Sequence, residues 1–356
     1  MTLKQYLKDL IFIPIKFLFR INLDQNIKLT NPKSIIIFWP NSDLGLLLSS
    51  KQLFTSVKEK FPKVKITLVL RSFTLKKISL RTLSDLLGFE KGDRIIGYNF
   101  TENLFQEFDI AIIPSVNSFS FLSHLLMRLS RSKIRIGSQS IDELKNPYSF
   151  LFNKKLNLSW NKNPDIHISE FITSYLNPLE ISYKSDNLSY EIKLKDYEDN
   201  LNLPDFEPSW NQKVILINNE PEEKQNRWSI KNLVSLIIML TESSNYFFYY
   251  IEDEMEKEVK NNLQRDVGNL HFISKNDLNG VMTILSYCDL VISCNSDIMH
   301  LVGLTNIPQI SIFGSENPFN FAPIGSNKKF IKSSTNLIGD VSGKEVFKMC
   351  KGFLDD

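Results

Sequence analysis

The chain of 356 residues has few of the residues on which several protein classes depend. Its 3 cysteines (Cys288, Cys294 and Cys350) form no C-x-x-C pair and no metal spacing, and an odd number is typical of reduced thiols. No H-E-x-x-H, G-x-S-x-G, Walker or protein-kinase motif is present, and no G-x-G-x-x-G sequence follows a predicted strand. The sequence therefore predicts neither a disulfide-rich protein nor a metal site, and it lacks the common hydrolase, kinase and P-loop signatures.

A charge excess is missing as well, because 42 Lys and Arg nearly balance 40 Asp and Glu and leave a net charge of +2. This balance argues against nucleic acid as the main partner. Glycine is scarce, at 13 residues, which is low for an enzyme with several phosphate-binding loops. What is abundant is apolar residues, at 42% of the chain. That content and this length are enough for two domains with cores of their own, and we expect a cytoplasmic protein.

The N-terminal segment, residues 1–22, is apolar but carries regularly placed cations. Lys4, Lys8, Lys16 and Arg20 interrupt it, so no apolar run reaches the ~20 residues that a membrane span needs. There is no small-residue cleavage site of a signal peptide. The pattern predicts an amphipathic helix, either lying peripherally on the inner membrane face or packed on the protein's own surface.

Hydrophobic periodicity divides the rest of the chain into two α/β halves. Short β-branched runs predict strands at 34–39, 65–70, 95–96, 108–113, 133–136, 213–217, 246–251, 290–292 and 309–313. Helical spacing joins them, for example at 46–59, 230–241, 278–286, 298–302 and 344–353. A polar segment, 181–212, reads as a linker. We therefore predict Rossmann-like domains at 23–180 and 213–356.

The most informative stretch runs from Leu290 to Gly325, and its apolar pattern predicts a strand, a short helix and a second strand. Asn295, Ser296 or Asp297 would cap the short helix that follows the first strand. In a parallel sheet the loops after neighbouring strands, here 294–300 and 314–320, face one crevice at the carboxyl ends. Unpaired N–H groups at the helix start are suited to a phosphate.

This stretch resembles a motif of glycosyltransferase family 9, the ADP-heptose:lipopolysaccharide heptosyltransferases. That family usually reads Asp-Thr-Gly, two residues, His-Leu, and later a Pro and a β-run ending in Phe/Tyr-Gly-Pro-Thr-Asp-Pro. The counterparts here are Asn295-Ser296-Asp297, His300-Leu301, Pro308 and Phe313-Gly314-Ser315-Glu316-Asn317-Pro318. The spacing matches throughout. Asp297, however, stands where the family has Gly, so a carboxylate replaces bare backbone.

The resemblance implies a GT-B type α/β fold, with two Rossmann-like domains facing across a cleft. It also implies inverting sugar transfer without metal or cofactor, from a nucleotide diphosphate sugar (ADP-linked) to a cell-surface glycan or lipid-linked acceptor such as lipopolysaccharide. The family's donor-phosphate Lys, counted back from Trp228, falls on Asn226, which Lys224 and Arg227 flank. We expect the donor to contact Lys224 and Arg227, with Arg227 as the phosphate clamp, unless it is a solvated loop charge. The other expected donor residues are Asn295, Ser296, Asp297, His300 and Gly314.

The catalytic base is expected in the loop after the first strand. The family has Ser-Leu-Gly-Asp there, and its Asp falls on Leu46 when aligned on Leu44-Gly45. Asp43 lies in the same loop and is the candidate base, although a helix cap or Asx turn is the alternative. Asn41 and Ser42 precede it and are candidate acceptor-binding residues.

Two histidines have competing interpretations. His167 begins a segment that resembles the family's His-x-x-Glu, and it would either bind the acceptor or cap its helix. His300 would either donate to a phosphate or pack beneath the helix start. Because the family's base and phosphate positions are altered here, a degenerate member that binds nucleotide or glycan without transfer is the second interpretation. A nucleotide-sugar epimerase is the third.

Overall fold

The computed structural model describes residues 31–71, 78–98, 106–183, 212–221, 224–252, 255–263, 269–274 and 278–355, and of Lys224 and Asn279 the backbone alone. Within these ranges the strands are β1 (Ser34–Phe38), β2 (Lys65–Leu70), β3 (Arg94–Gly97), β4 (Ile110–Ile113), β5 (Ile134–Ile141), β6 (Leu144–Lys145), β7 (Lys154–Leu158), β8 (Val214–Asn218), β9 (Phe247–Ile251), β10 (Leu270–Ile273), β11 (Leu290–Cys294), β12 (Gln309–Phe313) and β13 (Lys328–Lys332). The helices are α1 (Leu44–Ser49), α2 (Lys51–Lys60), α3 (Leu80–Leu87), α4 (Phe121–Leu129), α5 (Ile168–Thr173), α6 (Ile230–Ser243), α7 (Glu256–Asn262), α8 (Leu278–Leu285), α9 (Asp297–Gly303), α10 (Pro318–Phe321) and α11 (Gly343–Leu354).

The first packed unit comprises the described residues of Met1–Ser42, Leu53–Leu75 and Gly88–Tyr183. Its sheet has the order β3-β2-β1-β4-β5-β6, and β7 pairs with β5. β1 is parallel to both β2 and β4, and β6 alone is antiparallel to its neighbour. Four of the five β1 side chains are buried, which is why the β-branched run at 34–39 predicts this central strand correctly.

The second packed unit comprises the described residues of Asp43–Gln52, Lys76–Leu87 and Lys184–Asp356. Its sheet has the order β10-β9-β8-β11-β12-β13, and every pair is parallel. This is the strand order of a doubly wound nucleotide-binding sheet. The prediction of two Rossmann-like halves is therefore confirmed. The exact domain boundaries at 23–180 and 213–356 stay predictions.

The predicted single helix over 46–59 is wrong in one respect, because the chain forms α1 and α2 with a break at Ser50. The Ser50 N–H donates to the Leu46 and Leu47 carbonyls, and its hydroxyl donates to Leu47 O at 2.6 Å. A serine that bonds the preceding turn in this way ends a helix. The break lets α1 pack in the second unit while most of α2 packs in the first.

The sequence did not predict three short strands at the edges of the two sheets. β6, β7 and β13 are short and polar, with Lys154–Leu158 reading KKLNL and Lys328–Lys332 reading KKFIK. Edge strands carry such lysines because an apolar edge would pair with other chains. The local pattern therefore resembles that of a loop.

The core of the second unit lies on the sheet face that α6 and α11 cover. Ile292, Ile310 and Ile312 point into it and meet Leu236 and Val346 from the two helices. α11 begins with a capping box, in which Ser342 and Glu345 bond each other's backbone N–H groups. None of the helices in the described ranges is long and apolar enough to cross a membrane. The predicted helix of residues 1–22 and most of the predicted linker, 184–211, lie outside the described residues.

Candidate functional site

Three loops meet at the carboxyl edge of the second sheet, after β8, β11 and β12. The Asn218 side chain, at the end of β8, donates to Ser296 Oγ at 2.8 Å. The Asn295 amide donates to Glu316 Oε1 at 2.9 Å and so ties the loop after β11 to the loop after β12. The expectation that the loops 294–300 and 314–320 face one place is therefore confirmed.

Of the three possible caps of α9, the structure selects Ser296. Its hydroxyl accepts from the Met299 N–H at 3.2 Å, and both Ser296 and its neighbour Asn295 are buried. The Met299 N–H, one of the groups at the start of α9 that have no partner within the helix, is thus bonded by the cap. Asn295 retains a buried Oδ1 without a hydrogen-bond partner in the described ranges.

Gly314 ends β12 and is required there by packing. A Cβ at this position would lie 2.9 Å from Ile338 Cβ and 3.0 Å from Ile338 N. Lys332 holds the turn from the other side, because its ammonium donates to the carbonyls of Gly314 and Glu316. The glycine therefore follows from the close approach of residues 336–338, whatever else this turn binds.

Arg227 lies in the loop that leads into α6, and its neighbour Trp228 anchors that loop. Asn219 bonds the Trp228 backbone twice, through Trp228 N–H to Oδ1 and through Nδ2 to Trp228 O, both at 3.1 Å. The indole N–H donates to Val341 O at 2.7 Å. Arg227 itself is half-buried, and its buried Nε has no hydrogen-bond partner among the described residues. Its guanidinium thus has donor capacity left for an oxyanion.

Lys224 stands in a short 3₁₀ turn, Lys224–Asn226, and only its backbone is described. Asn226, which occupies the counted family position, is 5% exposed. Ser229 is the N-cap of α6 by position, but its side chain makes no capping bond.

The predicted base, Asp43, lies beside α9 in the second unit. Asp43 Oδ1 accepts from the Leu46 N–H at 3.0 Å, so the residue is the N-cap of α1 and the capping interpretation is confirmed. No other described residue bonds its second carboxylate oxygen, which stays available. Asp297 Oδ1 accepts from the Gly45 N–H at 2.7 Å across 252 residues of sequence.

Ser49 and His300 make the second link between α1 and α9. Ser49 Oγ lies 2.7 Å from His300 Nδ1. Burial lowers the pKa of His300, although the carboxylates of Asp43 and Asp297 oppose this shift. The ring is therefore neutral at pH 7. A Cβ on Gly45 would lie only 2.5 Å from Cδ2 of the His300 ring. The absence of a side chain at Gly45 therefore allows the ring to occupy this position.

The expected acceptor residues lie in the first unit. Asn41 is half-buried and its Nδ2 has no partner in the described ranges, while Ser42 is exposed. His167 is the N-cap of α5, because its Nδ1 accepts from the Ser169 N–H at 3.2 Å. The capping interpretation of His167 is confirmed, and a role in acceptor binding stays a prediction.

Several residues that build this site were not singled out from the sequence. Gly45, Ser49, Asn218 and Glu316 each bond a predicted residue. Asn218 had a usable signal, because a polar residue that ends a buried strand lies at the carboxyl edge. Ser49 had none, since its partner is 251 positions away.

Comparison with known proteins gives a family match. The family model "Glycosyltransferase family 9 (heptosyltransferase)" matches residues 98–349, which is more than half of the chain. Comparison with curated protein sequences found no match.

Solved structures with the same fold include three of that family or activity. A glycosyl transferase family 9 protein from Veillonella parvula DSM 2008 superposes with a TM-score of 0.68 at 14% identity, covering 91% of this chain and 98% of that one. E. coli ADP-heptose lps heptosyltransferase II superposes with a TM-score of 0.69 at 15% identity, covering 90% of this chain and 98% of that one. E. coli heptosyltransferase WaaC with ADP superposes with a TM-score of 0.66 at 14% identity, covering 89% of this chain and 99% of that one. The chain is thus a glycosyltransferase with the GT-B fold, and it belongs to glycosyltransferase family 9.

Proposed function

We propose that the protein transfers a heptose-like sugar from an ADP-linked donor to a glycan or lipid-linked acceptor of the lipopolysaccharide type, with inversion and without a metal. One observation carries the proposal: helix α1, which Asp43 caps, is hydrogen-bonded through Gly45 and Ser49 to the turn 295–300, which the family resemblance singles out. The ADP named for the WaaC structure and the ADP-heptose named for the other E. coli enzyme support the choice of donor.

Asp43 is the proposed base. Its Oδ1 is held by the Leu46 N–H, which leaves the second oxygen to accept a proton from the acceptor hydroxyl. The acceptor oxygen forms a bond to the anomeric carbon from the face opposite the diphosphate. The bond between that carbon and the phosphate oxygen breaks, and its electron pair leaves with the nucleotide diphosphate, so the configuration inverts.

Arg227 is the proposed clamp on the departing diphosphate. Trp228 fixes its backbone, and its unbonded Nε and planar fork are suited to two phosphate oxygens. Lys224 would add a second positive charge. Asn295, Ser296, Asp297, His300 and Gly314 would shape the same end of the donor, through the turns after β11 and β12.

On the acceptor side we propose Asn41, Ser42 and His167. Asn41 and Ser42 directly precede the base, and the Asn41 amide has an unused donor for a sugar hydroxyl. The proposed location is the cytoplasm, with residues 1–22 on the inner face of the membrane, where a lipid-linked acceptor would be found.

The test is nucleotide release and sugar transfer by the purified protein, with a panel of nucleotide diphosphate sugars and a lipopolysaccharide-type acceptor. Asp43→Asn should lower kcat by about 10²–10⁴-fold without changing donor affinity, because Asn caps a helix as well as Asp. Arg227→Ala should weaken donor binding by about 10–100-fold, the equivalent of a lost charge-assisted hydrogen bond.

Lys231→Ala is the matched control for Arg227, because Lys231 is an exposed cation one turn further along. It should leave both constants unchanged. The transferase proposal fails if the wild type binds ADP tightly but neither variant alters any turnover. That result would favour a member that binds nucleotide without transfer, as the residues Leu46 and Asn226 at the family's positions suggest.

A further inference from the structure

Two residues of α1 contact the ring of His300 on two different sides. Ser49 Oγ lies 2.7 Å from Nδ1 of the ring, and a Cβ on Gly45 would lie 2.5 Å from its Cδ2. Gly45 and Ser49 are four residues apart, so they lie on one face of the helix, one turn from each other. The ring thus lies along α1, with Nδ1 at the end of the helix and Cδ2 nearer its start.

The start of α1 is also where two carboxylates lie. Asp43 Oδ1 accepts from the Leu46 N–H. Asp297 Oδ1 accepts from the Gly45 N–H. The point at which a Cβ on Gly45 would stand is 3.3 Å from Asp43 Oδ1 and 3.4 Å from Asp297 Oδ1. Because Cδ2 is bonded to Nε2 and not to Nδ1, the ring turns its Cδ2–Nε2 edge towards these carboxylates.

The hydroxyl of Ser49 is committed to the His300 ring. Serines in helices often donate to a carbonyl of the preceding turn, as Ser50 does to Leu47 O at 2.6 Å. Ser49 makes no such bond in the described ranges, where its hydrogen-bond partner is His300 Nδ1. Nε2 of the same ring has no hydrogen-bond partner among the residues that the structure describes. The hydroxyl proton of Ser49 is therefore bonded when it is donated to Nδ1.

Charge and hydrogen bonding select the same tautomer of His300. Burial lowers the pKa of His300, and the neutral ring carries one N–H and one lone pair. With the proton on Nδ1, the lone pair of Nε2 would lie on the side of Asp43 and Asp297, whose negative charges repel it. With the proton on Nε2, the Ser49 hydroxyl donates to Nδ1, and the ring presents an N–H to the side of the carboxylates. Only this second arrangement is favourable on both sides of the ring.

We infer that Ser49 is a positioning residue for sugar transfer, because it fixes His300 as the Nε2–H tautomer beside the base Asp43. The inference rests on the proposed function, in which Asp43 accepts the proton of the acceptor hydroxyl. In this tautomer Nε2 has no lone pair, so His300 does not compete with Asp43 for that proton. The Nε2–H group instead attracts the Asp43 carboxylate and limits its rotation. The proton on Nε2 stays there throughout the transfer.

The first measurement is the tautomer of His300, which requires no turnover. The chain has 4 histidines, so the ring nitrogens of isotope-labelled protein can be assigned by replacing each histidine in turn. Nitrogen NMR separates a protonated ring nitrogen from a bare one. At pH 7.5 the wild type should have His300 protonated at Nε2 and bare at Nδ1. Ser49→Ala should lower the population of this tautomer, whereas Ser49→Thr, which keeps the hydroxyl, should resemble the wild type.

The second measurement separates the positioning of the base from donor binding. Ser49→Ala should lower kcat about tenfold, the effect of one lost hydrogen bond, and leave the donor KM unchanged, because Asp43 acts in the chemical step. Ser49→Thr should retain most of kcat. Ser342→Ala is the matched control, because it removes a serine hydroxyl that caps α11 and should lower Tm without changing kcat.

The outcomes distinguish this inference from the proposed function. A wild type in which His300 is protonated at Nδ1, or at both nitrogens, would overturn the role of Ser49 even if the protein transfers sugar. An unchanged kcat in Ser49→Ala, or an equal loss in Ser342→Ala, would overturn it as well. A wild type that transfers no sugar from any donor of the panel would contradict the proposed function itself, and the positioning role would fall with it.

Discussion

Asp297 is the residue at which this chain departs most informatively from its family. Where the family has glycine, the carboxylate accepts the Gly45 N–H and so occupies space that bare backbone would leave open. The N-terminus of α1 thereby has two carboxylates, Asp43 and Asp297. Asp43 is held by the Leu46 N–H that it caps, and Asp297 bonds the same helix two residues further along, at Gly45.

Two replacements of Asp297 should distinguish the contribution of its hydrogen bond to the free energy of unfolding from the contribution of its charge. Asp297→Ala leaves the Gly45 N–H unbonded and should lower the free energy of unfolding by about 1–2 kcal/mol, because Asp297 is half-buried. Asp297→Asn keeps an acceptor oxygen and should retain most of that stability. The measurement is the urea midpoint at unchanged m-value. An equal loss in both variants would contradict the role of this hydrogen bond.

His124 is a buried histidine with a structural role in the apolar helix α4. Its Nδ1 lies 2.6 Å from Ser120 O and its Nε2 lies 3.1 Å from the Asn146 amide, so the neutral tautomer with Nδ1–H satisfies both. Burial lowers the pKa of His124 to about 4. Protonation therefore costs far more in the folded protein than in the unfolded chain.

The pH dependence of stability follows from this shift. Above about pH 6.5, His124 is neutral in both states, and between 6.5 and about 4 only the unfolded chain binds the proton. The free energy of unfolding should thus fall as pH falls through this window, by up to about 3 kcal/mol from this residue. His124→Gln should flatten the decline measured by urea unfolding between pH 7.5 and 4.5. A curve parallel to that of the wild type would contradict this.

At the scale of elements, the contact between α1 and α9 depends on one glycine. A Cβ at Gly45 would meet the His300 ring, which Ser49 holds and which is 6% exposed. The ring has no room to retreat. The two short helices therefore pack at a distance that alanine does not permit.

Gly45→Ala should consequently destabilise the protein by about 1–3 kcal/mol, the usual cost of overpacking. The matched control is Gly352→Ala in α11, where the nearest atom to the new Cβ is Lys329 Nζ at 4.0 Å. The control should be neutral or slightly stabilising, because alanine favours the helix. Thermal unfolding of both variants distinguishes them. Equal midpoints would indicate that α9 yields, and the packing argument would be wrong.

At the scale of the whole molecule, residues 1–22 are expected to bind the protein to membranes. Their apolar bulk and cations are typical of an interfacial helix, whose binding combines apolar burial with attraction to anionic lipid. Deletion of residues 1–22 should raise the soluble yield and abolish co-sedimentation with anionic vesicles, while neutral vesicles serve as the control. Unchanged sedimentation after deletion would contradict the membrane interpretation.

Prediction from sequence succeeded where the signal is local. The runs Lys65–Leu70 and Gln309–Phe313 were placed to the residue, because strands buried on both faces are rich in apolar and β-branched residues. Prediction failed at β7 and β13, where edge strands are polar, and at Ser50, where a single hydroxyl ends a helix.

By itself, then, the sequence determined the two α/β halves, the family and the loops that carry candidate chemistry, since these depend on the period of apolar residues and on short motif spacing. The tertiary structure alone decided that α1 belongs with the second sheet, that Asp297 bonds Gly45, and that the Nε of Arg227 is buried without a hydrogen-bond partner among the described residues. These facts depend on contacts between residues far apart in the chain, and no local pattern encodes which distant groups a fold brings within hydrogen-bond distance.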